Sequence, residues 1–482
     1  MDDRSNHWSR WRNGCLKTEL NVMDQFQKSG DKESGQDSHA LRLKQSKPEV
    51  NIFWFRRDLR LKDNHGLSKA LRGSYPVVPL FVFDRNILDS CAPEDGRVSF
   101  IHEQISRIKQ ELRSWGGDLK VYYGTVQEAI NELQQEYDVK HLICNSDYEP
   151  YAIARDTAVK NLCEDHKIGF HQFKDQVIFE TDEIVKDDGK PYVVYTPYSK
   201  KWLTALESQP LNEFQVAKYK DNLFNHDLGS LPSLQEMGFK PSPHKVMSYD
   251  YSPLLAQKYA DQRNFPSITK GTSKLSPHLR FGTVSVRQIV KALRPIQDIT
   301  LLKELIWREF FMQILWHFPH TVTKSFKPQY DRINWRNDPK EFEAWKNGQT
   351  GYPLVDAGMR ELNKTGYMHN RVRMLVASFL CKHLLIDWRW GEAYFAEKLL
   401  DYECSSNVGN WQWAAGSGVD AAPYFRIFNP MTQVDKFDKQ KTYIKKWVPE
   451  CDLPRYTQPV VEHKMARTRC LETYKAALNE SV

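Results

Sequence analysis

The stretch VNIFWF, residues 50–55, decides the first part of the fold. It is a continuous apolar run with the length of a buried strand. Three further runs of this kind follow, at residues 77–83, 119–123 and 141–144. Helical patterns separate them, at residues 100–115 and 126–137. Strands that alternate with helices predict a Rossmann-like α/β domain, in which a parallel sheet is covered on both faces and binds ligands at the carboxyl edge of its strands.

The rest of the chain changes character along its length. Residues 1–48 are polar without a period and predict a flexible tail, and Met23 is an alternative initiator within it. The α/β domain is expected over residues 49–180. Pro, Gly, Ser and Asp with weak periodicity then predict an interdomain connection over residues 181–248. From 249 to 482 the apolar spacing is helical, which predicts an all-α second domain.

Composition narrows the class of protein. A chain of 482 residues is too long for a single hydrophobic core. Its 68 Lys and Arg against 61 Asp and Glu give a net charge of +7, which suits a polyanionic partner if the charge is gathered on one face. The 8 cysteines show no zinc-type spacing, so we expect reduced thiols and no metal. No apolar run could span a bilayer, so we expect no membrane partner and a cytoplasmic location, or a nuclear one in a eukaryote.

Two segments carry polar groups that could bind a ligand. GTSKLS, residues 271–276, places hydroxyls and backbone amides ahead of a predicted helix, where an anion such as pyrophosphate is favoured. An ordinary helix cap explains the same pattern. Glu304, Trp307 and Arg308 share one face of another predicted helix. The alternative interpretation of that face is an ion pair beside a buried indole.

Two later segments combine amides with large apolar side chains. Asn370, Arg373 and Met374 fall on one helix face, where an amide can pair with a base edge and a thioether can pack against a ring. The stretch NVGNWQWAAG, residues 407–416, holds two of the 14 tryptophans between small residues and predicts a shaped cavity. Core packing is the ordinary explanation for any single tryptophan.

Five longer motifs, in this order, resemble the photolyase and cryptochrome family. They are FRRDLR (55–60), TGYMHNRVRM (365–374), DWRWGE (387–392), NWQW (410–413) and DAAPYFRIFNP (420–430). The resemblance covers about residues 50 to 480 and is closest to the class I cyclobutane pyrimidine dimer photolyases. It implies light-dependent DNA repair, with a cryptochrome-like blue-light photoreceptor as the alternative. A nucleotide-binding α/β protein without photochemistry is a third hypothesis, and it leaves the helical motifs unexplained.

The resemblance implies that FAD binds inside the helical domain. Asn407 would face flavin N5, and Arg373 and Asp401 would form an ion pair along the isoalloxazine. Plant-type cryptochromes carry an acid at the position of Asn407, so the amide favours repair over signalling. The residues implied to hold the cofactor are Tyr259, Thr272, Ser273, Lys274, Leu275, Ser276, Arg308, Arg373, Asp401, Glu403 and Asn407.

The resemblance also implies a pocket for damaged DNA. The residues that would meet the lesion are Glu304, Trp307, Asn370, Met374 and Trp413. Arg371 and Arg426 would grip phosphates that flank it, and Tyr367 stands where many relatives have tryptophan. The group that repairs (6-4) photoproducts has histidines at the positions of Asn370 and Met374, so that activity is not expected. The expected partner is DNA that contains pyrimidine dimers, bound by a monomer.

The implied chemistry needs no acid–base pair, because an electron passes from photoexcited reduced flavin to the dimer and then returns. Asn407 and Glu304 are expected to act beside the reacting groups. Trp411, Trp388 and Trp335 match the family's chain of tryptophans that carries electrons from the surface to oxidised flavin.

The resemblance implies a second, antenna chromophore as well. Relatives that bind a folate antenna carry an Asn-Glu pair where this chain has Tyr151 and Ala152. That departure leaves an antenna of folate, deazaflavin or flavin type, or none, open.

Overall fold

The structure, a computed structural model, describes residues 47–454, 456 and 458–479. The tail expected at residues 1–48 therefore lies almost wholly outside the described residues. The chain divides into two compact units, each with its own hydrophobic core.

The first unit contains a five-stranded parallel sheet. Its strands are β1 (Glu49–Phe55), β2 (Val77–Asp84), β3 (Lys120–Gly124), β4 (Asp138–Asn145) and β5 (Gly169–Phe173). Their order in the sheet is β3-β2-β1-β4-β5, so the chain winds outward from β1 in both directions. All eight residues of β2 are buried, as expected for a parallel strand with both faces covered. The predicted Rossmann-like α/β fold is confirmed.

Five helices accompany this sheet. They are α1 (His65–Leu71), α2 (Arg85–Leu88), α3 (Gly96–Ser114), α4 (Val126–Glu136) and α5 (Pro150–Asp165). The start of α4 shows how the sequence fixes a boundary: the Thr125 hydroxyl accepts a hydrogen bond from the Glu128 amide, while the Glu128 carboxylate accepts one from the Thr125 amide. A 3-10 helix (Val216–Asn222) belongs to the same unit.

The second unit is helical, and its described residues contain no named strand, which confirms the expected helical domain. Its first helices are α6 (Tyr195–Ser208), α7 (Pro253–Gln262), α8 (Ser276–Arg280), α9 (Val286–Leu293), α10 (Thr300–His317) and α11 (Pro339–Lys346). The others are α12 (Pro353–Thr365), α13 (Asn370–Ser378), α14 (Trp388–Lys398), α15 (Cys404–Ala415), α16 (Pro430–Phe437), α17 (Thr442–Trp447) and α18 (His463–Asn479). A π-helical turn (Phe379–His383) follows α13. Trp345, Trp388 and Trp411 lie in its main core.

The segment expected as a connection, 181–248, is divided between the two units. Residues 177–212, with helix α6, belong to the second unit, and residues 213–243 belong to the first. The weak periodicity has a physical reason, because its apolar residues serve different cores. Trp202 is fully buried in the second unit, whereas Leu228 belongs to the core of the sheet.

A buried carboxylate holds helix α6 within the second unit. Glu309, on α10, is 2% exposed and accepts a hydrogen bond from the Trp202 indole at 2.7 Å. It also accepts one from the backbone amide of Ile178 at 2.5 Å. Burial raises the pKa of Glu309 to about 7, although these donors oppose the shift.

This burial predicts a pH-dependent contribution to stability. Because the pKa of Glu309 is raised on folding, the folded state holds the proton more tightly, and the unfolding free energy should fall as pH rises from about 4.5 to about 7. The change is about 3 kcal/mol at most. We expect the difference in urea-unfolding midpoint between wild type and Glu309→Gln to vary over that pH range. A difference that is the same at pH 5 and pH 8 would contradict this role.

Candidate functional site

A pocket in the second unit gathers residues from both sequence-predicted sets. Helices α13 and α15 and the turn that precedes α15 supply most of its walls. Eight predicted residues line it: Asn370, Arg373, Met374, Asp401, Glu403, Asn407, Trp411 and Trp413. The structure therefore brings together residues expected at a flavin and residues expected at a DNA lesion.

The sequence between α12 and α13 explains how the first of these residues reach the pocket. Gly366 has a φ of 67°, in the left-handed region, and ends α12. A Cβ atom on Gly366 would lie 2.6 Å from Leu400 Cγ, so a larger residue would not fit. The His369 side chain then accepts a hydrogen bond from the Arg371 amide and caps α13. Helix α13 thus begins at Asn370, with Arg373 and Met374 on its next turn.

Close packing fixes the indole of Trp411. The side chain is 2% exposed, and its ring lies over Gly391 of α14. A Cβ atom on Gly391 would come within 2.1 Å of the ring, so the contact needs glycine there. Similarly, Gly409 of α15 faces the ring of Phe311, at 2.3 Å from the position of its missing Cβ. Gly391 on α14 and Gly409 on α15 therefore allow helices to approach the large rings.

An ion pair between partly buried Arg373 and Asp401 crosses one wall of the pocket. The Arg373 guanidinium donates to Asp401 Oδ2 at 2.8 Å and to the Met368 carbonyl at 2.7 Å. The Ser276 hydroxyl donates to the same carboxylate oxygen at 2.6 Å. Burial works against the charge of Arg373, but Asp401 keeps the pKa of Arg373 above its ordinary value. The predicted pairing of Arg373 with Asp401 is present in the structure.

The Asn407 amide is oriented by a residue that sequence reasoning did not single out. Its Nδ2 donates to Glu392 Oε1 at 2.8 Å and to the Glu392 carbonyl at 3.1 Å. Because both partners are acceptors, the amide nitrogen must point at Glu392, and Oδ1 is the atom left for the pocket. Glu392 belongs to the motif DWRWGE. It lies 15 residues before Asn407, which is not a helical repeat, so the spacing did not predict this contact.

The segment 271–276 supplies several of the remaining cofactor candidates. Helix α8 begins at Ser276, as the sequence pattern predicts. Two further predicted residues, Leu275 and Tyr259, are buried. The Lys274 ammonium lies 4.0 Å from the centre of the Tyr367 ring. Arg308 pairs with Glu403 at 3.5 Å.

Two buried oxygens test whether these residues fit a bound cofactor. Asp401 Oδ1 and Thr272 Oγ1 are buried without a hydrogen-bond partner among the described residues. Buried polar atoms are rarely left unpaired, so each is suited to a donor from a bound molecule. A cofactor with hydroxyls and amide nitrogens, such as FAD, meets that requirement.

The predicted lesion residues on α10 are not among those that line this pocket. Glu304 forms an ion pair with Arg263, and burial raises the pKa of Glu304 while Arg263 opposes that shift. Trp307 stacks on Tyr195, with 3.6 Å between ring centres and 4° between planes. Neither partner was predicted from the sequence.

The two predicted phosphate-binding arginines differ in exposure. Arg371 is partly buried, donates to the Asn264 side chain and lies 4.5 Å over the Phe437 ring. Burial, Arg263 and Arg426 lower the pKa of Arg371. Arg426 is exposed, and its backbone carbonyl accepts a hydrogen bond from buried Lys382 at 3.0 Å.

The three predicted electron carriers belong to one apolar cluster. Trp388 and Trp411 are buried in it, and Trp335 packs against it from a partly buried position. Core packing alone accounts for the burial of Trp388 and Trp411. The arrangement is therefore compatible with both a structural role and an electron-carrying role for these tryptophans.

The unpaired oxygens of Asp401 and Thr272 and the oriented amide of Asn407 suit a flavin cofactor in the helical unit. With its Rossmann-like unit, the chain has the organisation of a two-domain flavoprotein. Residues 51–216 match the family described as DNA photolyase, and residues 301–454 match the FAD binding domain of DNA photolyase. The chain belongs to the DNA photolyase family.

Individual relatives agree with this assignment. A deoxyribodipyrimidine photo-lyase of Halobacterium salinarum is 35% identical over 480 residues, which cover 89% of this chain and 99% of that one. A bacterial class III photolyase from Agrobacterium tumefaciens has a TM-score of 0.79 and 33% identity, covering 91% of this chain and 99% of that one. An archaeal photolyase from Sulfolobus tokodaii, solved with two FAD molecules, has a TM-score of 0.76 and 33% identity, covering 89% and 100%.

These comparisons confirm the expected family, FAD as cofactor and a photo-lyase of DNA repair. The likeness to class I enzymes stays a prediction, since a class III photolyase is among the structural relatives. Within the described part of the chain, no helix has both the length and the apolar character that a membrane crossing requires.

The ion pair in the pocket wall predicts unequal effects of two substitutions. Asp401→Asn removes the counter-charge of Arg373 and should lower the unfolding free energy by about 3 kcal/mol, with loss of FAD. Ser276→Ala removes one hydrogen bond to the same oxygen and keeps the charges, so it should cost about 1 kcal/mol. Urea unfolding and the flavin absorbance of the purified variants measure both effects. Equal losses in the two variants would show that the charge of Arg373 needs no partner.

Proposed function

We propose that this chain splits cyclobutane pyrimidine dimers in DNA with light, using reduced FAD held in the pocket of the second unit. One observation carries the proposal: residues expected at the flavin, such as Asn407 and Arg373, and residues expected at the lesion, such as Asn370 and Trp413, line the same pocket. Electron transfer needs donor and acceptor close together in fixed orientation, which a shared pocket provides.

Arg373, Asp401 and Asn407 would hold the flavin ring. When bound, reduced FAD supplies the electron after absorbing light. The oriented Oδ1 of Asn407 can accept a hydrogen bond from a ring N–H, and Asp401, held by Arg373, has an oxygen without a partner among the described residues. Residues implied to hold the phosphates and sugars are Tyr259, Thr272, Ser273, Lys274, Leu275, Ser276 and Arg308, and Glu403 is a further residue implied to hold the cofactor.

The damaged bases would meet aromatic and polar side chains. Trp307 and Trp413 offer ring faces for stacking, and Glu304 and Asn370 offer groups that pair with base edges. Met374 would offer an apolar side chain that packs against a ring. A dimer is easier to extrude from the duplex than a normal base pair, because its pairing and stacking are already weakened. The lower free-energy cost of extruding a dimer would therefore contribute to the selection of damaged over undamaged DNA.

Arg426 and Arg371 would bind phosphates beside the lesion. A guanidinium can bind a phosphate through two parallel hydrogen bonds. Arg426 is exposed, whereas Arg371 is partly buried against Phe437. We therefore assign the larger share of phosphate binding to Arg426.

Trp411, Trp388 and Trp335 would return oxidised flavin to its reduced state by passing electrons inward. Their membership of one apolar cluster supports this role, because closely packed rings are held at fixed separations.

The chain would act as a monomer in the cytoplasm, or in the nucleus of a eukaryote. An antenna chromophore in the first unit is also proposed, with folate, deazaflavin and flavin types all open.

The environment of Asn407 predicts a specific redox change. In Asn407→Asp, an oxygen would replace the nitrogen that now faces two acceptors of Glu392, so the new carboxyl must hold a proton or turn away. We expect FAD to stay bound while the balance of reduced flavin states shifts and repair slows. Anaerobic redox titration followed by absorbance measures the shift.

Asn410→Asp is the matched control. Asn410 lines the same pocket, but its amide donates to the Ser406 carbonyl instead. It should leave the flavin titration unchanged. If Asn407→Asp behaves like this control, Asn407 does not serve the flavin ring.

The proposed division between lesion and phosphate contacts predicts two kinds of binding defect. Trp307→Ala should weaken dimer-containing duplex by about 1–3 kcal/mol and leave undamaged duplex nearly unchanged, because it removes a stacking surface for the base. Arg426→Ala should weaken both duplexes alike and reduce the salt slope by about 0.9. Binding constants at several salt concentrations separate the two. A Trp307→Ala variant that weakens both duplexes equally would remove Trp307 from the lesion site.

A further inference from the structure

The ring of Tyr195 covers one face of Trp307 in nearly perfect parallel alignment. Their ring centres are 3.6 Å apart and their planes differ by 4°. Tyr195 is buried at 9% exposure, whereas Trp307 is partly exposed. The pair therefore consists of one ring inside the protein and one ring that reaches solvent.

Tyr195 is itself held at both ends. Its hydroxyl donates to the carbonyl of Lys303 on helix α10, at 3.1 Å. Its backbone amide, at the start of helix α6, donates to Asp420 Oδ2 at 3.3 Å. The edge of the Phe310 ring lies against it, at 5.8 Å between centres and 80° between planes. The orientation of the Tyr195 ring is thus fixed by contacts other than the stack with Trp307.

A fixed ring on one face restricts how a partly exposed indole can move. The χ2 torsion of tryptophan is broad and permits several ring orientations. The Phe310 and Phe311 rings also pack against Trp307, each at 5.6 Å between ring centres, but the stack on Tyr195 is the closest and most nearly parallel of these contacts. Stacking on an immobile partner therefore favours one indole orientation before any ligand arrives. Binding groups ordered in advance lose less entropy when the ligand binds, so affinity rises without a new contact.

We infer that Tyr195 is a positioning residue for recognition of the damaged base: it holds the Trp307 indole in the orientation that receives the lesion. The inference rests on the proposed role of Trp307. Tyr195 is buried, so it acts through Trp307 and not by touching DNA. The same residue also joins α10, which carries Glu304 and Trp307, to Asp420 at the start of the segment that carries Arg426.

The test compares Tyr195→Met with Tyr195→Phe and Tyr198→Met in the FAD-loaded full-length protein. Tyr195→Met removes the stack and keeps much of the volume, while Tyr195→Phe keeps the stack and loses only the hydroxyl. Tyr198 is the matched control, because it is a buried tyrosine on the same helix that packs against Phe310 at 5.2 Å. No contact of Tyr198 with Trp307 is found among the described residues. Tyr195→Leu is a second stack-deficient variant, used if Tyr195→Met does not fold.

The measured quantity is the ratio of binding constants for duplex with and without a thymine dimer. We expect Tyr195→Met to lower this ratio about three- to tenfold, as for loss of an aromatic pair. Tyr195→Phe and Tyr198→Met should retain it. Repair per absorbed photon at saturating DNA should stay unchanged in all three, because the defect lies in recognition.

A double variant shows whether Tyr195 acts through Trp307. Tyr195→Met added to Trp307→Ala should lower the ratio no further than Trp307→Ala alone. A wild-type ratio in Tyr195→Met would overturn the inference, as would equal weakening of both duplexes, which marks a purely structural residue. A different result would contradict the proposed lesion-binding role of Trp307. In that case Trp307→Ala itself would leave the ratio unchanged, and the inference about Tyr195 would be wrong as well.

Discussion

The partly buried charge of Arg373 is the constraint on which the pocket depends. A guanidinium removed from water needs a counter-charge, and Asp401 supplies it at 2.8 Å. Arg373 belongs to α13, Asp401 precedes α15, and Ser276, which bonds the same carboxylate, begins α8. One charge thereby fixes three segments that are distant in sequence. Each of them carries residues proposed to hold FAD or damaged DNA, so the geometry of the site follows from satisfying this charge.

Close packing of aromatic rings against glycines fixes the rest of the pocket. Trp411 is placed by the absence of a side chain on Gly391, and α15 approaches Phe311 through Gly409. These contacts are apolar and close-packed, so they allow little movement of the indole. A rigid ring at a fixed separation is also what an electron carrier requires. Packing and electron transfer therefore make the same demand on Trp411, and the structure meets it with Gly391 on the opposing helix α14.

Local patterns in the sequence predicted much of this arrangement. The strands at 50–55 and 77–83 were predicted to within one residue at each end, because continuous apolar runs mark buried parallel strands. Strand β5 (Gly169–Phe173) was missed, since its partly exposed GFHQF sequence has no such run. The segment 181–248 was predicted as one connection because residues that serve two cores show no single period.

Local sequence patterns could not predict which side chains contact the site residues. Glu304 pairs with Arg263 across 41 residues, and Arg371 bonds Asn264 across 107. The Asn407 amide is turned by Glu392, and the Trp307 ring is covered by Tyr195. Such pairs depend on how helices pack, and no spacing rule along the chain encodes them. The residues proposed to touch FAD and DNA were found from motifs, whereas those that orient them emerged only from the structure.

The most direct measurement is the light-dependent loss of dimers from DNA. Purified protein with reduced FAD is mixed with duplex that contains a cyclobutane thymine dimer, and the remaining dimers are counted after blue light and after an equal time in the dark. The account predicts that dimers disappear only in the light. Dimers that persist under illumination, although the flavin is reduced and the DNA is bound, would contradict it.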